Sequence, residues 1–173
     1  TTAIAYVNAA PHIGFALELL YSDVMARYQR LLGKEVRFLT GTDEHGQKIY
    51  KTARDQGRSV EEFTDTISAK FSELADLWNI SNDDFIRTTE MRHIAGAHTF
   101  WQASLENGDI YKKTYKGLYC VGCESFKTEK DLVDGKCPDH HREPELVEEE
   151  NYFFKLSKYQ EPIEFLFEQR KNW

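Results

Sequence analysis

The stretch AIAYVNAAPHIGF, residues 3–15, joins a short apolar run to a long amphipathic pattern through a turn that carries a proline, a histidine and a glycine. Ala3 to Val7 reads as a buried strand. Leu17, Leu20, Val24, Tyr28, Leu31 and Leu32 recur at spacings of three, four and one, which lays an apolar stripe along one helical face. Gly33 is a usual helix terminator, and Val36 to Leu39 reads as a second strand. Strand, helix and strand within about 40 residues form the pattern of a right-handed parallel crossover, so the expected class is α/β with a parallel sheet.

Outward from this unit the pattern continues. Ser59-Val60-Glu61-Glu62 has capping-box spacing, and Val60, Phe63, Ile67, Phe71, Leu74 and Trp78 follow at helical intervals. Asp84 to Thr88 predicts a third strand, and residues 91–107 a further helix ending at Asn107-Gly108. Near Ile110 the character changes. From there to about Pro144 the chain is rich in Lys, Gly, Cys and turn residues, and it runs into an acidic stretch, Glu143 to Glu150. Asn151 to Leu156 returns to core-forming composition, and Ile163, Leu166 and Phe167 suggest a last helix. The organisation expected is therefore an α/β part over 1–110, a small insert over 111–150, and a return segment over 151–173.

A chain of 173 residues supports one well-buried core, or one domain with a small insert. The formal charge of −7 means that the average surface does not attract nucleic acid, while a local basic patch stays open. No apolar run reaches the roughly 18 to 20 residues of a membrane span, and the N-terminus has no secretory pattern, so a cytoplasmic protein without a membrane partner is expected. Three cysteines within the 18 positions from Cys120 to Cys137 make a poor disulfide framework and a better set of reduced thiols or metal ligands. A start at Thr1 without Met, and a stop at Trp173 inside a helix-like pattern, lead us to expect an excised piece.

In a parallel α/β sheet, ligands bind beyond the carboxyl ends of the strands, where helix N-termini present free N–H groups. Pro11 to Phe15 sits at such a place. Pro11 stiffens the approach, Gly14 leaves the backbone open, and His12 adds a hydrogen bond or a charge for phosphate oxygens. Thr40-Gly41-Thr42-Asp43-Glu44-His45-Gly46 follows the second strand, so two polar loops converge on one sheet edge; Asp43 suits an ammonium group, and His45 would orient it or a ribose. The alternatives are a histidine that merely closes a βα turn, and an Asp43 or Thr42 that caps a helix beginning near Glu44. No Gly-x-Gly-x-x-Gly, P-loop or Gly-x-Ser-x-Gly motif occurs.

Cys120-x2-Cys123, thirteen residues, and Cys137-x2-His140 offer four soft or borderline ligands on two knuckle-like turns, suited to tetrahedral Zn2+. Four ligands leave no open position, so the role expected is structural. His141 is a rival fourth ligand, and plain reduced thiols are the alternative to a metal.

With these residues quoted, the sequence resembles the N-terminal part of the catalytic domain of class I aminoacyl-tRNA synthetases, the methionyl enzymes above all. The resemblance is carried in order by AIAYVNAAPHIGF, DVMARYQRLLGKEVRFLTGTDEHGQKI, YCVGCESF, GKCPDH and EEENYFFKLSKY. It implies a Rossmann-like nucleotide-binding half with a zinc-knuckle insert, ATP with Mg2+ and methionine as substrates, and methionine-specific tRNA as partner. It implies that Pro11, His12, Gly14 and Phe15 contact ATP, His12 and Gly14 being the catalytic pair; that Asp43 holds the methionine ammonium; and that Ile4, Ala5 and Tyr6 line the amino-acid pocket. Phe15 stands where the family signature has a second histidine. Lys155 to Tyr159 looks like the family's KMSKS loop but falls too early, and the half that carries the true loop is missing, so the piece is expected to be incompetent alone. Two other readings remain at this point. One is a non-catalytic nucleotide- or tRNA-binding module with structural zinc, its basic side formed by Lys112, Lys113, Lys116, Lys127 and Lys130. The other is a free-standing nucleotidyltransferase.

Overall fold

The computed structural model describes residues 1–169; Arg170 to Trp173, the end of the expected return segment, lie outside them. The backbone divides into two compact units, Thr1–Gly96 and Ala97–Trp173.

The first unit runs β1 (Ala5–Tyr6), α1 (Ile13–Leu31), β2 (Leu39–Asp43), α2 (Gln47–Asp55), α3 (Val60–Leu77) and β3 (Asp84–Arg87). Its three strands form a parallel sheet in the order β1-β2-β3, with Tyr6 opposite Asp43 and Thr42 opposite Arg87. The α/β class read from the sequence is the class observed. Val7, Leu19, Phe38, Ile49, Phe63, Ile67 and Phe71 build the core between sheet and helices. The Ser59 capping box is formed: Ser59 Oγ accepts from Glu62 N at 3.1 Å, and Ser59 N donates to Glu62 Oε2 at 3.2 Å.

Two local expectations are corrected. The second strand is not Val36 to Leu39 but Leu39 to Asp43, so Thr40-Gly41-Thr42 is ladder and not loop. Apolar alternation misses it because its buried face is polar: Thr40 and Thr42 are both buried, bonded to Thr2 and to Ser68. Gly41 is required there, since a Cβ would stand 2.0 Å from the Ile86 carbonyl oxygen on β3. The second correction concerns α1. Its inward face is Phe15, Ala16, Leu19, Asp23 and Ala26, whereas Leu17, Leu20, Val24, Tyr28 and Leu31 are exposed. The helix is apolar on more than one side, and periodicity alone does not say which side is covered. Asp23 is tolerated inside because Ser81 N and Oγ donate to it at 2.7 and 2.6 Å, and Arg27 Nε at 2.6 Å.

In the second unit β4 (Ile110–Cys120) pairs antiparallel with β6 (Glu145–Phe154) over ten residue pairs, and with β5 (Ser125–Lys127) on its other edge. The acidic stretch from Glu145 and the start of the return segment, as far as Phe154, are thus one strand. Its glutamates face the lysines of β4, with Lys112–Glu150 at 2.8 Å and Lys116–Glu148 at 3.0 Å. α4 (Met91–Glu106) runs through the division between the units, and α5 (Gln160–Gln169) follows a short 3-10 turn at Leu156–Tyr159.

Candidate functional site

β1 and β2 end side by side, and Val7 N donates to the Asp43 carbonyl at 3.1 Å just past the last ladder pair. Beyond β1 the chain turns into α1 with His12 as the N-cap residue, in extended conformation. His12 Nδ1 accepts from Gly14 N at 3.0 Å. An acceptor at Nδ1 carries no proton, so this bond places the ring proton on Nε2 and leaves an N–H donor on the far side of the ring. Gly14 is bare for a reason that the sequence did not disclose: a Cβ there would lie 2.9 Å from His12 Cε1 and 3.0 Å from Nδ1, displacing the ring that caps the helix.

A cavity of about 350 Å³ opens here, with Ile4, Ala5, Tyr6, His12, Gly14 and Phe15 in its wall. The strand-end residues and the signature residues named from the sequence therefore share one space. Phe15 also belongs to the core, with its ring edge-on to Phe71 at 4.8 Å between centroids. Pro11 and Asp43 are not in the wall; Asp43 stands beside it as the ladder partner of Tyr6. Asp43 does not cap α2, whose N-cap is Gly46 without a side-chain bond. Among the described residues its carboxylate accepts one long bond, 3.5 Å, from His45 N.

Behind Asp43 lies a group that sequence reasoning missed. Glu44 is 2% exposed. Its Oε1 accepts from Thr42 Oγ1 at 2.9 Å and Arg87 Nε at 2.7 Å, and its Oε2 accepts from Arg87 Nη2 at 3.0 Å and from Thr89 Oγ1. Arg87 reaches on to Asp65 at 2.6 Å. Glu44 N donates to Thr88 Oγ1 at 2.9 Å, and the His45 ring lies 3.3 Å from the Thr88 carbonyl through Nε2. Burial works against the Glu44 carboxylate, but the bonds from Arg87, Thr89 and Thr42 outweigh it and hold its pKa below the usual carboxylate range. The adjacent Asp-Glu pair in a polar stretch was the available signal; which of the two turns inward was not written in it.

In the second unit the ligand atoms of Cys120, Cys123, Cys137 and His140 lie within 4.8 Å of one another. Cys123 Sγ is 3.4 Å from Cys137 Sγ and 3.3 Å from His140 Nδ1, and Cys137 and Cys120 lie 3.8 and 4.0 Å from that nitrogen. A tetrahedron with Zn–S bonds of about 2.3 Å has edges of about 3.8 Å, so the donor set fits the ion. A hydrogen bond shared with Cys137, and burial, push the Cys123 thiol up to about 11, since thiols this close do not all ionise without a cation among them. The fourth member is His140; His141 is exposed and adopts a positive φ of 52°, its N–H bonded to the Cys137 carbonyl at 2.8 Å. Gly122 makes room for the imidazole, because a Cβ would come 2.3 Å from His140 Cδ2.

The Lys155 to Tyr159 look-alike has a structural employment. Lys158 Nζ bonds Asp109 Oδ1 at 2.7 Å, Tyr159 OH donates to Asp109 Oδ2, and Lys155 Nζ donates to the Gly108 carbonyl at 2.8 Å. Of the five lysines on the basic side read for a nucleic-acid module, Lys112 and Lys116 are paired with glutamates of β6.

The family described as class I tRNA synthetases (M) matches residues 1–144. The chain belongs to this family. Curated relatives include the methionine–tRNA ligase of Thermotoga maritima, 45% identical over all of this chain and 28% of its own length. The chloroplastic/mitochondrial enzyme of Arabidopsis thaliana is 48% identical, again over all of this chain and 28% of its own. Among solved structures, the Mycobacterium tuberculosis methionyl-tRNA synthetase in complex with methionyl-adenylate aligns over 99% of this chain and 35% of its own, with a TM-score of 0.90 and 39% identity. The chain thus spans about a third or less of the class I synthetases it matches, corresponding to the N-terminal part of the catalytic domain. No helix among the described residues is long and apolar enough to cross a membrane.

Proposed function

We propose that this chain is the N-terminal portion of the catalytic domain of a methionine–tRNA ligase, the part that receives ATP and methionine and forms methionyl-adenylate with release of pyrophosphate. The observation that carries the reading is the single cavity at the sheet rim shared by Ile4, Ala5, Tyr6, His12 and Gly14, in a chain whose backbone follows that of a methionyl-adenylate-bound synthetase.

The methionine carboxylate attacks the α-phosphorus, so catalysis is positioning and charge stabilisation. His12 offers its Nε2–H, and the start of α1 its free N–H groups, to phosphate oxygens of Mg2+-bound ATP, while Pro11 and Phe15 shape the approach. Ile4, Ala5 and Tyr6 flank the amino acid, and Asp43 takes its ammonium. Transfer to methionine-specific tRNA then needs the remaining polypeptide, which supplies the KMSKS loop and the rest of the pocket. Residues 1–110 serve as the nucleotide-binding half, 111–150 as the insert and 151–173 as the return segment. Cys120, Cys123, Cys137 and His140 hold a structural Zn2+, whose chemistry here is to crosslink two turns. Three clustered thiols without a disulfide support a reducing compartment, and with it the cytoplasm, as the site of action.

The test is methionine-dependent exchange between ATP and pyrophosphate. The complete ligase should exchange, and His12→Ala should reduce kcat far more than it raises the methionine KM. The 173 residues alone should exchange poorly or not at all. Robust exchange by the isolated chain contradicts the need for the remaining half, and methionine-independent turnover favours a different nucleotidyl transfer.

A further inference from the structure

Asp43, on which the proposed ammonium site rests, has little to hold its side chain, while its neighbour is held on every side. Thr42 and Glu44 are both buried and bonded to each other, whereas Asp43 between them is only partly buried. Glu44 uses both oxygens on Thr42, Arg87 and Thr89, and its main-chain N–H bonds Thr88. Arg87 is itself the end of β3 and the register partner of Thr42. Asp43 is therefore fixed from behind by Glu44 and from the other side by the bond from Val7 to its carbonyl. A buried ion pair is no gain over well-packed apolar residues for stability alone. A two-bond guanidinium–carboxylate pair adds a fixed direction.

We propose that the Glu44–Arg87 pair is the positioning element of the amino-acid site: it sets the carboxyl end of β2 so that Asp43 is presented to an α-ammonium group, and it thereby sets how strongly the enzyme prefers an amino acid to the same molecule without its amino group. The inference rests on the ammonium reading of Asp43 given above. Glu44 and Arg87 touch no substrate and act through Asp43. Neutralising Glu44 also leaves the Arg87 charge less compensated beneath the site, which opposes an incoming cation.

The experiment is an equilibrium double-mutant cycle on the complete ligase, with methionine, 4-(methylthio)butanoate as its des-amino counterpart, and ATP as probes. Asp43→Asn should weaken methionine and leave the des-amino acid unchanged. Glu44→Gln should weaken methionine by roughly tenfold and the other two probes by less than about twofold, with no further loss when added to Asp43→Asn. Arg87→Lys, which keeps the charge and loses the fork, should reproduce the Glu44→Gln pattern, and it serves as the variant of record if Glu44→Gln does not fold. Equal weakening of all three probes, multiplying effects of the two substitutions, or no effect of Glu44→Gln and Arg87→Lys beside a large effect of Asp43→Asn would overturn this inference alone. Unchanged methionine affinity in Asp43→Asn would overturn the ammonium reading and this inference with it.

Discussion

The two units are ordered by different means. Residues 1–96 bury Val7, Leu19, Ile49, Phe63 and Phe71 behind a parallel sheet, an apolar core of the ordinary kind. Among the described residues from Ala97 on, the side chains buried to the same degree are Cys120, Cys137 and Asp109, two thiols and a carboxylate. The aromatic residues of this unit meet one another without being fully buried, Tyr115 of β4 edge-on to Phe126 of β5 at 4.5 Å and Trp101 of α4 edge-on to Tyr152 of β6 at 5.3 Å. Apolar burial is the dominant favourable contribution to folding. A unit without it depends on crosslinks, and here these are the Cys3His cluster, with the metal proposed for it, and the ion pairs Lys158–Asp109, Lys112–Glu150 and Lys116–Glu148.

The largest effect that breaks this comparison is metal removal. Chelation, or Cys137→Ser, should unfold the turns around residues 120–140, since metal binding contributes of the order of 10 kcal/mol in small metal-folded modules, while amide protection within Thr1–Gly96 persists. Loss of protection in both units together would show that the metal and the core are not separate supports. The converse substitution is Phe63→Ala, at a side chain 1% exposed, which should cost about 3–5 kcal/mol and lower the melting transition of the first unit while the metal stays bound. Next comes Gly122→Ala: with no space beside the His140 ring, zinc affinity should fall about 10- to 100-fold, read by competition with a chromophoric chelator. The smallest effect is on pH. Hydrogen bonds from Lys158 and Tyr159 lower the Asp109 pKa to about 2 against the opposing effect of burial. A folded pKa below the unfolded value of about 3.9 means that this anchor is intact above about pH 4 and is lost as pH falls towards about 2. Amide exchange at residues 155–159 should rise through that window, and Asp109→Asn should remove the dependence.

The sequence was most legible where one physical signal stood alone. The capping box at Ser59 forms as its spacing predicts, and the Cys-x2-Cys and Cys-x2-His turns come together as a cluster that includes His140 and not His141. Legibility failed where burial is polar or where two faces compete. β2 was displaced because Thr40, Thr42 and Glu44 are buried through hydrogen bonds and carry no apolar period. The inward face of α1 was not legible because its bulkier stripe, Leu17 to Leu31, stays exposed in this chain. β6 was split in two because a run of glutamates, Glu148 to Glu150, hid a strand whose partner is the lysine-bearing β4. At the site, His12, Gly14 and the strand end were readable as a set, but the reason for Gly14, the ring stacked over it, required the fold. Glu44 required it as well, since nothing local distinguishes it from the exposed acids elsewhere in the chain.

The central claim is that ATP and methionine meet at the rim of the first unit and not at the hairpin with the Cys3His cluster. Hydrogen exchange of the complete ligase with and without a non-hydrolysable methionyl-adenylate analogue tests it most directly. Slowed exchange is predicted at the amides of Ile4, Ala5, Tyr6, Gly14 and Asp43, with residues 120–140 unchanged; slowed exchange confined to residues 120–140, with the rim unaffected, would contradict the account.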